Sequence, residues 1–113
     1  MFNFHRLDVY GCAITFLKLA LPLGERVPPG YHSLKDQLRR AAVSIPLNIA
    51  EGSGRFDNDA RRYFLIARGS ALECAAILDV LAALGADTED VAKALEVLHR
   101  VVAMLTKMAR LSE

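Results

Sequence analysis

Glu96 and His99 are the residues best suited by type and spacing to chemistry, because Glu-x-x-His places both side chains on one helical face. Di-iron carboxylate bundles use two such elements together with two further inward glutamates. Glu51 and Glu73 are available as the glutamates, but there is no second Glu-x-x-His. Glu96 and His99 also align at helical spacing with Arg100, Ala103, Lys107 and Arg110, opposite an apolar seam, so a solvated face is the better reading. His5 and His32 are isolated near the ends of helical patterns and have no ligand spacing to each other, so no metal is expected.

Nucleophilic catalysis has no more support. Ser44, Ser53, Ser70, Cys12 and Cys74 lack a histidine placed to act as their base. The stretch Glu51-Gly-Ser-Gly-Arg55 resembles a phosphate loop only superficially, since it follows a helical pattern instead of a strand and lacks the Gly-Lys-Ser/Thr ending. Gly52 and Gly54 read more simply as the stop of a helix, where a left-handed residue is needed. No catalytic residue, cofactor or small-molecule substrate is expected, and the chain reads as a non-enzyme.

Charge offers one further candidate. The chain has 14 basic and 13 acidic residues, a net charge of +1, which gives no general case for nucleic-acid binding. Locally, however, seven cations (Lys35, Arg39, Arg40, Arg55, Arg61, Arg62, Arg68) stand against four carboxylates (Asp36, Glu51, Asp57, Asp59). In an oligomer this excess would repeat and could attract nucleic acid, with Arg39, Arg40, Arg55, Arg61 and Arg62 as contacts. Intersubunit salt bridging with solvation is the preferred alternative, because no aromatic residue is placed between these arginines for base stacking.

Four helical segments position these residues, at about 7–21, 34–52, 58–84 and 88–111. In the first, Leu7, Tyr10, Ile14, Leu17 and Leu21 share a face, and Pro22 and Gly24 end the pattern. Ser33 and Asp36 read as a capping box for the second, whose seam is Leu34, Leu38, Ala42, Ile45 and Ile49. Pro46 falls inside that helix and predicts a kink that frees the Ala42 carbonyl. Asp57 or Asn58 is expected to cap the third, with Ala60, Phe64, Ala67, Ala71, Cys74, Leu78 and Leu81 inward. The fourth begins at Asp87 or Thr88 and carries Val91, Leu95, Leu98, Val102, Leu105 and Ala109. Nothing reads as a strand. Short connections force antiparallel neighbours, giving an all-α, up-down four-helix bundle in a single domain, residues 1–113.

The third helix carries two further apolar stripes, Tyr63, Ile66, Ile77, Val80 and Leu84, and Leu65, Leu72, Ala75 and Ala82. A helix apolar on so many sides is expected to meet another subunit as well as its own bundle. Hydrophobic residues make up 53% of the chain and mean hydropathy is +0.24, more apolar surface than a small bundle buries alone. No run is long enough to span a membrane, and Arg6, Asp8 and Lys18 interrupt the N-terminal apolar stretch, so neither a membrane partner nor an export signal is expected. Cys12 and Cys74 have no ligand spacing and read as reduced residues of a cytoplasmic protein. Between the second and third helices, Arg40, Ser44, Asn48, Glu51, Arg68, Ser70 and Glu73 fall at similar heights and are expected to form a structural polar network fixing register and pairing.

The blocks "LDVYGCAITF", "LKDQLRRAAVSIPLNIAEGSGR" and "RRYFLIARGSALE" resemble the signature blocks of the bacterial four-helix-bundle family, also called the S23 or 23S rRNA intervening-sequence protein family. Some relatives are encoded within insertions in ribosomal RNA genes, and others are accessory proteins of diversity-generating retroelements. The resemblance implies a homopentameric barrel without catalytic activity. For the accessory relatives it also implies strongly basic surfaces that work with reverse transcriptase and nucleic acid. This chain departs from that pattern in its near-neutral charge and in the proline-rich loop "RVPPGYH". The reading reached is a self-assembling scaffold or adaptor, with an accessory nucleic-acid-binding protein as the alternative.

Overall fold

The computed structural model describes residues 1–86 and 88–110. A short 3-10 turn, Asn3–Arg6, precedes four helices: α1 Asp8–Glu25, α2 His32–Ser53, α3 Asp57–Ala83 and α4 Thr88–Met108. Each helix packs against two others in a closed cycle, α1 on α2, α2 on α3, α3 on α4 and α4 on α1. With the short turns between successive helices, this cycle is the up-down antiparallel bundle. Among the described residues there is no strand, and no helix is long and apolar enough to cross a membrane.

The apolar periodicity accounts for the core. Phe16, Leu38, Ile45, Ile49, Leu78, Leu81, Leu98 and Leu105 are fully buried in one cluster drawn from all four helices. Burial of each such side chain contributes ~1.5–3 kcal/mol relative to exposure. On α2 and α3 the expected seams are the observed ones. On α1 the inward stripe is instead Val9, Ala13, Phe16, Ala20 and Leu23, while Tyr10, Ile14 and Leu17 are half-buried and Leu21 is exposed. Ala13 and Ala20 let α1 approach the other helices closely, and the single large ring of Phe16 fills the intervening space. Packing volume therefore chose the stripe containing the smaller residues over the one containing more leucines.

The helix ends differ from the sequence expectation in four places. Pro22 does not end α1, which continues to Glu25. Pro22 and Lys18 are both exposed one turn apart, so the carbonyl deprived of its donor faces water, while buried Leu23 and Gly24 hold the last turn against α2. α2 opens at His32 with Tyr31 as its cap residue, so Ser33 and Asp36 lie inside the helix and make no capping box. Phe56 precedes α3 with no side-chain cap bond from it, and Asp57, the first residue of α3, has φ 50°, so the left-handed residue of this turn is an aspartate and not a glycine. Gly54 ends α2 at φ −93°, so neither glycine of the "EGSGR" element is left-handed; the left-handed glycines are Gly30 and Gly85, in the two other turns. The expected cap at Asp87 and the expected end at residue 111 lie outside the described residues.

α2 is continuous through Pro46, whose ring is buried. Gly52, inside α2, has a different role from the one expected of it. A Cβ there would lie 2.7 and 2.9 Å from two ring carbons of Phe64. The glycine lets the α3 aromatic press against the α2 backbone where the two helices diverge from their turn.

Candidate interaction surface on α2 and α3

Helical repeat brings Arg40, Ser44, Asn48 and Glu51 along one side of α2, and the antiparallel partner presents Ser70 and Glu73. The Ser44 and Ser70 hydroxyl oxygens are 2.9 Å apart and share a hydrogen bond between the helices. Asn48 Nδ2 donates to the Ser44 carbonyl at 2.8 Å and to Ser44 Oγ at 3.0 Å, leaving the Ser44 hydroxyl hydrogen free for Ser70. All three side chains are half-buried, and each net bond contributes ~0.5–1.5 kcal/mol. This triad fixes the register of α2 on α3.

The four other residues of the expected network lie outside the triad. Two residues along a helix turn by about 200°, so with Ser70 facing α2, Arg68 faces the other way. Arg68 Nε donates to Thr106 Oγ1 at 2.9 Å, and Thr106 in turn donates to the Val102 carbonyl, tying α3 to α4. Glu51 pairs with Arg55 one turn on, at 3.4 Å. Arg40 and Glu73 sit one turn from Ser44 and Ser70 at the same end of the triad. Both are exposed, and neither makes an ion pair or side-chain hydrogen bond among the described residues.

Around the triad the surface is apolar. A shallow groove of about 450 Å³ runs along α2 between Arg39, Arg40, Val43, Ser44, Leu47 and Asn48. Leu47 is 63% exposed and Val43 36%, while Ile66 and Val80 on α3 are 41% and 44% exposed. These residues belong to helices whose opposite sides are fully packed in the core, so they form a second apolar face that the single chain leaves uncovered.

The five arginines proposed for nucleic acid do not form one surface. Arg39 and Arg40 lie sixteen and fifteen residues before Arg55, about 24 Å along the bundle axis. Arg39 lies 3.6 Å from Glu25, whose carboxyl is held below its ordinary range chiefly by the Lys35 hydrogen bond at 2.9 Å. Arg61 Nε donates to the Ala109 carbonyl at 2.9 Å and so closes the C-terminal end of α4. Arg55 lies between Glu51 and Asp59. The expectation that no aromatic stands among the arginines is overturned: Arg55 and Arg62 flank the Tyr63 ring at 5.2 and 5.9 Å from its centroid, and Phe56 beside them is 84% exposed. Arg62 is the chain neighbour of Tyr63, whereas Arg55, eight residues away, reaches the ring because the turn sets it just before the first turns of α3.

Cys74 is fully buried, and burial, with the neighbouring Glu73 charge, pushes its thiol up to about 12, which makes it a packing residue and not a nucleophile. Among the described residues no three His, Cys, Asp or Glu side chains converge in a way that could hold a metal ion. Glu96 and His99 are exposed on α4. A family model described as 23S rRNA-intervening sequence protein matches residues 5–107. No curated protein matches the chain significantly.

Proposed function

The chain belongs to the 23S rRNA-intervening sequence protein family, and on that premise we propose that it is a non-enzymatic helical bundle that assembles with copies of itself and serves as a scaffold or adaptor. The observation carrying this reading is the uncovered apolar face of α2 and α3: Val43, Leu47, Ile66 and Val80 are exposed beside Arg40 and Glu73, which make no ion pair or side-chain hydrogen bond among the described residues. Covering that face with another subunit removes apolar area from water and offers both charges a partner. A five-membered ring is the assembly we assign, and a reducing, cytoplasmic setting fits the two free cysteines. The test is the oligomeric mass of the wild type, Leu47→Glu and Glu73→Gln. A charge in the centre of the face should dissociate the assembly, and Glu73→Gln should weaken it. Unchanged mass and melting temperature in both variants would overturn the reading.

A second reading, an accessory nucleic-acid-binding protein, draws its support from the α2–α3 turn. There the exposed Phe56 ring and the arginine-flanked Tyr63 ring offer stacking surfaces next to Arg61 and Arg62. The carboxylates of Glu51 and Asp59, already paired with Arg55, weaken the positive field at that turn, which is why this reading stands second.

A further inference from the structure

Because the helices touch in a closed cycle, the groove between α1 and α4 lies on the far side of the bundle from the α2–α3 face. We propose that this groove docks an acidic amphipathic helix of a partner protein, apolar side down. The inference goes beyond self-assembly and does not require it, since the two faces are separate.

The groove contains a cleft of about 760 Å³ between the start of α1 and the second half of α4, and it continues toward the α4 end as a smaller hollow of about 250 Å³. Its floor is apolar: Leu7, Cys12, Met104 and Met108 are half-buried and packed on the core. Gly11 contributes no side chain, and nothing lies within 4 Å of where its Cβ would be, so the cleft stays open along the first turns of α1. The rim is cationic. Arg6, Arg100 and Lys107 are exposed around it, and none makes an ion pair among the described residues. Asp8 is the one carboxylate in the two hollows.

An apolar floor beneath a rim of unpaired cations matches a helix with leucine-like anchors at i, i+3, i+4 and i+7 and carboxylates on both flanks. From Leu7 to Thr15 the groove extends about 12 Å, the length of roughly two helical turns. Met104 and Met108 have unbranched, adaptable side chains suited to receiving such anchors. A phosphate backbone would satisfy the rim but leave the floor uncovered, which is why the observations favour a protein partner over nucleic acid.

The test uses the full chain and fluorescence anisotropy with three labelled probes. One is a helical peptide of about four turns with leucines at the anchor positions and glutamates elsewhere. The second carries lysines in place of the glutamates, and the third is an oligothymidine of charge equal to that of the first. The wild type should bind the glutamate peptide at least about tenfold more tightly than either other probe. The charge-reversed variant R6E/R100E/K107E should invert the peptide preference, a gain of binding that a misfolded variant could not produce. Gly11→Tyr, which fills the cleft without removing a charge, should weaken the glutamate peptide several-fold. The proposal is overturned by any of three results: no binding of the glutamate peptide, a peptide preference unaltered by charge reversal, or tighter binding of oligothymidine.

Discussion

Replacing Gly52 with alanine tests how closely α2 and α3 are fitted near their turn. The new Cβ would stand 2.7 Å from Phe64 Cε1 and 2.9 Å from Cδ1, where ordinary carbon contacts begin near ~3.5 Å. Phe64 is 9% exposed and buried in the core, so its ring can yield only by displacing neighbours. Overpacking of this kind costs about 1–3 kcal/mol, and alanine returns about 0.5–1 kcal/mol of helix propensity. A net loss of about 1–2 kcal/mol is expected, a fall in Tm of roughly 4–8 °C for a chain of this size. Gly69 supplies the control: it lies inside α3 with nothing within 4 Å of its Cβ position, so Gly69→Ala should stabilise by about 0.5–1 kcal/mol. Thermal and urea denaturation followed by circular dichroism, at one fixed protein concentration so that the proposed assembly would act equally on every variant, would measure both. Phe64→Leu combined with Gly52→Ala should lose less than the sum of the single changes, with a coupling of about 1 kcal/mol or more. Stability of Gly52→Ala at or above wild type, or equal damage from Gly69→Ala, would refute the reasoning.

Two other expectations concern the thiols and the α2–α3 turn. In native protein at mildly alkaline pH, a thiol reagent should modify half-buried Cys12 and spare Cys74, whose thiol is held protonated by burial until the chain is unfolded; equal native rates at both positions would contradict the buried placement. If the second functional reading holds, single-stranded RNA should bind with an affinity that falls steeply with salt, and Tyr63→Ala and Phe56→Ala should each cost about 1–3 kcal/mol of it. No binding at low salt would leave the scaffold reading alone.

The bundle was legible in the sequence because its α2 and α3 seams repeat at helical spacing with unambiguous large residues such as Leu38, Ile45, Phe64 and Leu78. The α1 stripe was not legible, since two apolar stripes compete there and the choice falls to Ala13 and Ala20, whose value lies in close approach and not in hydrophobicity. Helix ends were misplaced where tertiary packing overrode capping chemistry. Pro22 is tolerated because its orphaned carbonyl faces solvent, and Phe56 precedes α3 without a cap bond. At the candidate surface, helical periodicity placed Ser44, Asn48 and Ser70 together, but it could not tell that Arg68 would turn to Thr106 or that Gly52 answers to the Phe64 ring. Those outcomes depend on rotation about the α3 axis relative to two neighbours at once. The Arg55–Tyr63 contact is likewise set by the turn, which places Arg55 just before α3, whereas Arg62 and Tyr63 are chain neighbours within the helix.

The central claim is that the exposed apolar face of α2 and α3 is covered by further copies of the chain. Light scattering coupled to size exclusion measures this directly on untagged protein. The expected mass is a whole-number multiple of 12.4 kDa, fivefold for the proposed ring, falling to 12.4 kDa in a folded Leu47→Glu variant. A wild type that remains at 12.4 kDa at concentrations up to about millimolar would contradict it.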